Sequence, residues 1–249
     1  MVFQKDLSLM INFFWYGNIS EIQKLCWNSF LKFHDSINIW SYDKIQGYEN
    51  FCKDANQIIS QDKFFYSNNP WGNVKKKELI TPFADIFRYK LLNDVGGWYV
   101  DSDMICLKKL PNINGTYLNS EYNENKQRIL INSVLYSNDT NNIFGKMYHD
   151  IIEYPNYNKQ TRLKFCDDDF LKKYQITNSF EPIFSNPLQW FEVEKIIYDD
   201  LEFNKKTYMV HLFNVIWKFG LWSEDSIKKI SLKTYEKNSF YDRIKKEYL

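Results

Sequence analysis

The segment from Gly96 to Asp103 constrains the fold of this chain more than any other segment. It reads Gly-Gly-Trp-Tyr-Val-Asp-Ser-Asp, an apolar run that follows two glycines and precedes two carboxylates. This pattern predicts a buried strand after the end of a helix. Residues i and i+2 of an extended backbone point to the same side, so we expect Asp101 and Asp103 to converge. Hard divalent cations prefer oxygen ligands and leave positions open for phosphate oxygens, which predicts a metal-assisted enzyme that acts on a diphosphate compound.

The N-terminal part of the chain predicts a βαβ unit. An apolar-aromatic run over residues 11–16 predicts a buried strand, residues 19–33 have apolar side chains at helical spacing, and residues 37–42 predict a second strand. A strand, a crossover helix and a second strand imply a parallel sheet, which binds its ligands at the carboxyl ends of the strands. We therefore expect Trp15 and Tyr16 to lie at a binding edge.

A second helix precedes the glycine pair. Thr81 and Pro82 have the residue types of a helix start, with threonine as the N-cap and proline at the first helical position. Asp85 and Arg88 are three residues apart and so share a face of this helix. Two alternatives are open for them, an exposed ion pair and a functional pair.

The rest of the chain gives weaker signals. Residues 98–110 are predicted to be extended, and from residue 111 onward we expect loops that alternate with moderate helices. The predicted elements of this part are helices over residues 142–153 and 188–201, a strand over 207–213 and a basic helix over 239–249.

The composition limits the classes of function. The chain has 249 residues, of which 44% are hydrophobic and 18% aromatic, so a sizeable core and one domain are expected. Its formal net charge of +1 argues against a dedicated nucleic-acid binder, which needs a basic face. The sequence shows no signal-peptide run and no membrane-length apolar run, which predicts a cytoplasmic protein. The basic helix over 239–249 leaves peripheral contact with the inner face of a membrane open.

Four segments resemble glycosyltransferase family 32. The segments ADIFRYKLL and GGWYVDSDMICLKKL resemble the DXD region of that family, and INFFWYGN resembles its opening strand. The segment HLFNVIWK resembles a later histidine element of the family, and NSFYDRIKKEYL resembles its closing helix. The family includes fungal α-1,6-mannosyltransferases and many bacterial and viral capsule or glycan transferases. The resemblance extends over most of the chain and is looser over residues 111–205.

The resemblance implies a fold and an activity. The fold is α/β of the GT-A type, a Rossmann-like central sheet flanked by helices, in a single domain over residues 1–249. Residues 1–110 would bind the nucleotide-sugar and residues 111–249 the acceptor. The implied enzyme is a retaining, metal-dependent glycosyltransferase that moves a sugar from a nucleotide diphosphate sugar to a glycan or polysaccharide acceptor. Uridine is favoured over guanosine as the donor base.

The resemblance also implies residues that bind the nucleotide-sugar. Trp15, with Phe14 beside it, would line the pocket of the base, while Asp85 and Arg88 would contact the donor sugar. Arg88 would also lie near the diphosphate. The full set of implied donor contacts is Phe14, Trp15, Asp85, Arg88, Tyr99, Asp101, Asn132, Asn214 and Trp217.

Metal and catalytic roles follow from the same resemblance. Asp103 would ligate Mn²⁺ or Mg²⁺ directly, and Asp101 would approach the metal through water. His211 would be a C-terminal metal ligand or a diphosphate contact, supported by Asn214 and Trp217. The residues assigned to the catalytic step are Asp85, Arg88 and Asp101.

Two other functions fit parts of the sequence. A phosphatase or phosphotransferase of the haloacid-dehalogenase type also carries two aspartates after an apolar strand, and Asp167–Asp169 would imitate its later acidic pair. Met104 and Ile105 stand where that class has a small hydroxyl residue, which weighs against it. The other alternative is a non-catalytic carbohydrate-binding protein.

Overall fold

The computed structural model describes residues 10–62, 76–140, 142–153, 168–219, 221–222, 227–228 and 234–249. Its strands are β1 (Ile11–Phe14), β2 (Asn38–Ser41), β3 (Cys52–Asp54), β4 (Gly97–Val100), β5 (Met104–Cys106), β6 (Thr116–Tyr122), β7 (Arg128–Ser137), β8 (Met209–His211), β9 (Leu221–Trp222) and β10 (Ile227–Lys228). Its helices are α1 (Glu21–Phe33), α2 (Lys76–Asp94), α3 (Ile143–Ile152), α4 (Asp168–Lys172), α5 (Lys195–Tyr198), α6 (Asn214–Phe219) and α7 (Phe240–Tyr248).

A mixed six-stranded sheet forms the centre of the fold, in the order β3-β2-β1-β4-β7-β6. The strands β1 to β4 run parallel, and β7 pairs antiparallel with both β4 and β6. Separate two-stranded pairs join β5 to β8 and β9 to β10. The predicted α/β class, with a central sheet flanked by helices, is confirmed. Because β6 and β7 belong to the main sheet, the sheet includes strands from both predicted functional parts of the chain.

The predicted βαβ unit is confirmed as β1, α1 and β2. Helix α1 begins with a capping box, in which the Ser20 backbone N–H donates to the Gln23 side chain at 3.0 Å. Its inner face is buried, with Trp27 and Phe30 fully enclosed. The strands β1 and β2 pair in parallel with Asn12 opposite Asn38. Local sequence pattern was sufficient here because the helix and both strands have apolar periods of their own.

Three predicted elements differ from the structure. Helix α2 begins at Lys76, so Thr81 and Pro82 lie inside it and do not start it. The region 188–201 forms two short pieces, a 3₁₀ turn at Trp190–Glu192 and the helix α5, in place of one helix. The region 98–110 divides into β4 and β5, which belong to different sheets.

The longest strands, β6 and β7, were not predicted. Their buried faces include the polar residues Asn119, Ser120 and Ser133, which interrupt the apolar pattern that predicts a strand. The pairing of β6 with β7 also shifts, because Leu118 pairs with Leu135 while Asn119 pairs with Ile131. This shift is a large β-bulge, and such bulges often redirect side chains next to functional sites.

The C-terminal helix α7 packs onto α1 and α5. Its apolar side chains Phe240, Tyr241 and Ile244 are buried. Its cations pair with carboxylates, as Lys245 does with Glu21 at 3.0 Å. Peripheral membrane contact through this helix stays a prediction. Among the helices within the described ranges, none has the length and apolar character needed to span a bilayer.

Candidate functional site

Asp101 to Asp103 form a turn at the carboxyl end of β4, in the centre of the sheet. The backbone N–H of Asp101 donates to the Ser133 carbonyl at 2.9 Å, and the Met104 N–H donates back to the Asp101 carbonyl at 3.3 Å. The hydroxyl of Ser102 donates to the carbonyl of Phe14 at 3.3 Å, which ties the turn to β1. The expectation of an extended backbone from Asp101 to Asp103 is therefore wrong. Because the chain turns, the two carboxylates reach different partners.

Asp101 belongs to a group that we call the arginine cluster, namely Asp85, Arg88, Tyr99, Asp101 and Asn132. The Arg88 guanidinium binds both oxygens of Asp101, at 3.0 and 3.4 Å, and lies 3.2 Å from Asp85. It also donates to the backbone carbonyls of Ala84 and Asn132, at 3.2 and 2.5 Å, and stacks over Tyr99 at 4.9 Å. Only 4% of the Arg88 side chain is exposed, so its donors are committed to the protein.

Asn132 completes the arginine cluster from the bulge of β7. Its side-chain amide donates to Asp85 at 2.9 Å and to the Tyr89 hydroxyl at 3.1 Å. Helix α2 supplies Asp85 and Arg88 from one face, as their spacing predicted, and the pair is buried. The alternative of an exposed ion pair is therefore wrong.

Asp103 faces the C-terminal half of the chain. The Nε2 atom of His211 lies 3.4 Å from Oδ1 of Asp103, and the backbone N–H of Asn214 donates to Oδ2 at 2.9 Å. The strand pair β5–β8 brings these residues together, with Met104 directly opposite His211. The ring of His211 stacks on Phe213 with centroids 3.9 Å apart.

A second set of polar residues lies behind His211, and we call it the amide cluster: Asn119, Glu121, Ser185, Asn186 and His211. The Asn186 amide nitrogen lies 3.2 Å from the Glu121 carboxylate and 3.3 Å from Nδ1 of His211. Its oxygen accepts from Asn119 and Ser185, each at 3.0 Å. The Asn119 amide also donates to Ser133 Oγ at 3.0 Å, which connects the cluster to β7.

The pKa values of the two aspartates move in opposite directions. Burial raises the pKa of Asp101 to about 6, although Arg88 opposes the shift and Asp103 adds to it. Burial alone would raise the pKa of Asp103 as well, but the neighbouring His211 and the Asn214 N–H hold it below its ordinary value. For His211, burial lowers the pKa and Asp103 raises it, and the net shift is upward.

Negative charge exceeds positive charge at this end of the sheet. The two clusters and Asp103 together contain four carboxylates, those of Asp85, Asp101, Asp103 and Glu121, against the guanidinium of Arg88 and the titratable ring of His211. Burial raises the pKa values of Asp85 and Glu121, which shows that their charge is incompletely compensated. A hard divalent cation fits such a set of carboxylate oxygens.

The three predicted metal ligands, Asp101, Asp103 and His211, have different partners in the structure. Within the described ranges, no group of three or more His, Cys, Asp or Glu side chains is arranged to hold a metal ion. Asp101 is directed to Arg88, whereas Asp103 is directed to His211. A cation held by Asp101 and Asp103, with its other positions left for ligand oxygens, stays a prediction.

The aromatic residues predicted at the donor site differ in accessibility. Trp15 is partly exposed, donates from its indole nitrogen to the Gly17 carbonyl at 3.0 Å, and packs edge-on against Trp27. Phe14 is only 5% exposed and stacks on Phe87 at 4.2 Å, so it belongs to the core. Tyr99 is 1% exposed, which places it behind Arg88.

The remaining predicted residues lie next to the Asp103 side of the site. Trp217 is partly buried, and its indole nitrogen donates to the Leu212 carbonyl. Asn214 begins helix α6 and contacts Asp103 through its backbone. The sequence did not identify the amide cluster residues other than His211. A buried asparagine or serine in a strand has no motif of its own, and its role depends on the partners that the fold supplies.

The chain was compared with known proteins. Residues 20–120 match the family described as a glycosyltransferase sugar-binding region containing a DXD motif. A search of curated proteins found no match. The matched region contains Asp85, Arg88, Asp101 and Asp103, and it excludes His211.

Solved structures of glycosyltransferases give weak matches over much of the chain. PaToxG glycosyltransferase matches at 20% identity and a TM-score of 0.47, over 68% of each chain. The apo glycosyltransferase GlyE of Streptococcus pneumoniae TIGR4 matches at 12% identity and a TM-score of 0.46, over 90% of this chain and 57% of the GlyE chain. The galactosyltransferase LgtC, in complex with donor and acceptor sugar analogs, matches at 11% identity and a TM-score of 0.42. The match covers 71% of this chain and 74% of the LgtC chain. These TM-scores are too low for a functional argument. The family match includes the Asp-Ser-Asp turn and every residue of the arginine cluster except Asn132, and it ends at residue 120 of 249.

Proposed function

We propose that this protein is a retaining, metal-dependent glycosyltransferase that moves a sugar from a uridine diphosphate sugar to a glycan or polysaccharide acceptor. The observation that carries the proposal is the Asp-Ser-Asp turn at the carboxyl end of β4, with excess negative charge around it. Ligands of such sheets bind at the carboxyl ends of the strands. A GT-A fold and membership of family 32 are parts of the same proposal and rest on the sequence resemblance.

The metal role falls to Asp101 and Asp103. Their side chains are 27% and 15% exposed, so both retain access to solvent. They would hold Mn²⁺ or Mg²⁺ together with diphosphate oxygens of the donor. When bound, the ion supplies positive charge that stabilises the leaving diphosphate.

The arginine cluster would orient the donor sugar. The side chain of Arg88 is 4% exposed, and its role would be to hold the carboxylates of Asp85 and Asp101 in place. Carboxylates held in this way accept hydrogen bonds from sugar hydroxyls, with Asn132 beside them. Trp15 would line the base pocket at the end of β1, while Phe14 and Tyr99 support the site from the core.

The proposed reaction keeps the configuration of the sugar. The bond from the anomeric carbon to the diphosphate oxygen breaks, and the acceptor oxygen bonds to the same carbon from the same face. The acceptor proton passes to the departing diphosphate oxygen. We favour this route over a covalent intermediate because no lone nucleophile stands out in the sequence.

The phosphatase alternative depends on the acidic run that ends at Asp169. Asp167 lies outside the described residues. Asp168 accepts the Leu130 N–H at 2.8 Å and pairs with Lys172 at 2.5 Å, so its carboxylate has a structural role at the start of α4. The structural role of Asp168 weighs against its being a metal-binding carboxylate of the alternative.

A donor screen tests the proposal. The purified protein is incubated with a panel of nucleotide-sugars and Mn²⁺, and release of nucleoside diphosphate is measured. We expect release from a uridine diphosphate sugar, and a fall in kcat/KM of about 10³-fold or more for Asp103→Asn, since the ion would lose a protein ligand. The control is Asp94→Asn, which removes only the carboxylate that pairs with Lys90 at 2.5 Å.

Two results would contradict the proposal. Release of phosphate from p-nitrophenyl phosphate, with no turnover of any nucleotide-sugar, would favour the phosphatase. A rise in Tm with a glycan ligand, unaffected by Mn²⁺ and retained by Asp103→Asn, would favour the non-catalytic binding protein.

A further inference from the structure

We propose that the protein has a second ligand site, near the end of β8 that lies away from the Asp-Ser-Asp turn, and that this site binds an acidic segment of the acceptor glycan. The site consists of the turn over residues 204–207, which we call the lysine turn, and of two cavities that adjoin there. That the ligand is a glycan rests on the proposed function. That the ligand is acidic rests on the charges around the lysine turn.

Two cavities meet at the lysine turn. The larger has a volume of about 930 Å³ and is lined by Tyr122 at the end of β6, by the segment 179–184 and by the lysine turn. The smaller has a volume of about 510 Å³ and is lined by the lysine turn and by Phe240 of helix α7. Asn204 and Lys205 line both cavities, so a chain-like ligand that fills both would cross the lysine turn. Both volumes lie in the range of ligand pockets, about 300–1,000 Å³.

Hydrogen bonds fix the lysine turn before a ligand arrives. The Thr207 N–H donates to the Asn204 carbonyl at 2.8 Å, and the Asn204 side chain accepts the Lys206 N–H at 2.9 Å. Lys205 and Lys206 occupy the two central positions, and both are exposed. Lys108 joins them from the chain that follows β5, because its ammonium group donates to the Lys205 carbonyl. The fold therefore brings three lysines together at this turn.

Positive charge exceeds negative charge around the lysine turn. Within the described residues, three lysines there form no ion pair with a carboxylate: Lys108, Lys205 and Lys206. The carboxylates that line the cavities are those of Glu181 and Glu202, and Glu181 already pairs with Arg128 at 2.8 Å. This balance is the reverse of the one at the Asp-Ser-Asp turn. A surface with excess positive charge favours a ligand that carries negative groups.

The larger cavity also has groups that suit a sugar chain. Among the described residues that line the two cavities, Tyr122 is the one exposed aromatic residue, at 41%, and it offers a ring surface to the apolar face of a sugar. Ser179 and Asn204 add a hydroxyl and an amide, which hydrogen-bond with sugar hydroxyls. A single-stranded nucleic acid would require successive exposed rings along a basic groove, so the lining favours a glycan.

The second site is separate from the Asp-Ser-Asp turn. The Tyr208 N–H donates to the Phe184 carbonyl at the lysine-turn end of β8, and the His211 N–H donates to the Ser185 carbonyl at the other end. An extended chain advances about 3.3 Å per residue, so the three steps from Tyr208 to His211 separate the two ends by roughly 10 Å. An acceptor that contacts both sites is therefore several sugars long, and its acidic segment is distant from the sugar that reacts.

The experiment is isothermal titration calorimetry of the full chain at low ionic strength, without donor or metal. The probes are hexagalacturonate, the neutral maltohexaose and the oligonucleotide hexathymidylate. We expect hexagalacturonate to bind most tightly, and its affinity to fall as NaCl is added, because salt screens exposed charges.

Three variants locate the binding. The double substitution Lys205→Ala/Lys206→Ala should lower the affinity for hexagalacturonate about tenfold, since two charge contacts are lost. The control Lys44→Ala/Lys53→Ala removes the same charge from exposed positions near β3, at the opposite edge of the main sheet from β6, and should leave the affinity unchanged. Tyr122→Ala should also weaken binding, which a site for simple anions would not require.

Four results would overturn the inference. Equal affinity for hexagalacturonate and maltohexaose would show that the ligand is not selected by charge, and binding of neither would show that the cavities are not a glycan site. Tighter binding of hexathymidylate would assign the surface to nucleic acid. Equal losses in the two double variants would show an effect of net charge alone.

The proposed function fails by a different result. If hexagalacturonate binds at the lysine turn but no nucleotide-sugar releases nucleoside diphosphate, the transferase is contradicted and the second site is retained. If donor turnover is observed while hexagalacturonate does not bind, the transferase is retained and this inference is wrong.

Discussion

The two polar clusters around the Asp-Ser-Asp turn are held together by different forces. In the arginine cluster, one buried guanidinium binds two carboxylates directly and uses its remaining donors on backbone carbonyls. In the amide cluster, neutral amides and hydroxyls connect Glu121 to His211, and no arginine or lysine takes part in the hydrogen bonds described for it. Asp101 belongs to the first environment and Asp103 adjoins the second.

This difference indicates two roles within one site, namely holding side chains in position and binding a ligand. A guanidinium that binds two carboxylates fixes their orientation before any ligand arrives. A cluster with uncompensated negative charge gains stability when a cation binds nearby. We infer that Arg88 fixes the carboxylates of the arginine cluster, and that Asp101 and Asp103, where the two clusters adjoin, are the part that receives a positive ligand.

Removal of the arginine should have the largest effect. Arg88→Ala leaves Asp85 and Asp101 buried without their cation, so the free energy of unfolding should fall by about 3–5 kcal/mol. Urea denaturation measures the loss. The control is Lys90→Ala on the same helix, whose ion pair with Asp94 is partly exposed and should contribute less than about 1 kcal/mol. Equal losses in the two variants would show that the arginine cluster is not held by its charge pairing.

Ionisation of Asp101 should make stability depend on pH, with a smaller change in the free energy of unfolding than the loss of Arg88 causes. Its pKa is about 6 in the folded protein and about 3.9 in an unfolded chain, so the folded state retains a proton that the unfolded state has lost. A raised carboxylate pKa contributes stability that is present below about pH 4 and is lost as the pH rises through about 6. Relative to Asp101→Asn, the wild type should lose at most about 3 kcal/mol across that window in metal-free buffer. Parallel stability curves for the two proteins would contradict the shifted pKa.

A substitution in the amide cluster should change the stability of the protein least, and it should raise the stability where the loss of Arg88 lowers it. Burial raises the pKa of Glu121, so its ionised form opposes folding at neutral pH. Glu121→Gln keeps the shape of the side chain and an oxygen that accepts from Asn186, and it should stabilise the metal-free protein by about 0.5 kcal/mol. Thermal unfolding in the presence of EDTA measures the change. A destabilised variant would mean that Glu121 is fully compensated, which would remove the contrast between the clusters.

The arginine cluster was largely predictable because its parts lie close together in the sequence. Asp85 and Arg88 share a helix face by their spacing, and Asp101 follows the next strand at the end of a recognisable motif. The error was in the backbone of the motif, where a turn replaced the expected extended strand. Turn formation here depends on the bond from the Asp101 N–H to Ser133, a residue 32 positions further along the chain.

The sequence by itself determined the βαβ unit, the buried strand β4 and the aspartates at its end, because these follow from apolar periods and motifs within short stretches. Only the tertiary structure decided which partner each aspartate has. Glu121, Asn186 and His211 come from three distant segments, and they meet because the loop that carries Asn186 is bonded to β8, where the His211 N–H donates to the Ser185 carbonyl at 3.2 Å. A polar side chain carries no record in its local sequence of the group it will meet after folding, so only long-range contacts of the folded chain could bring this cluster together.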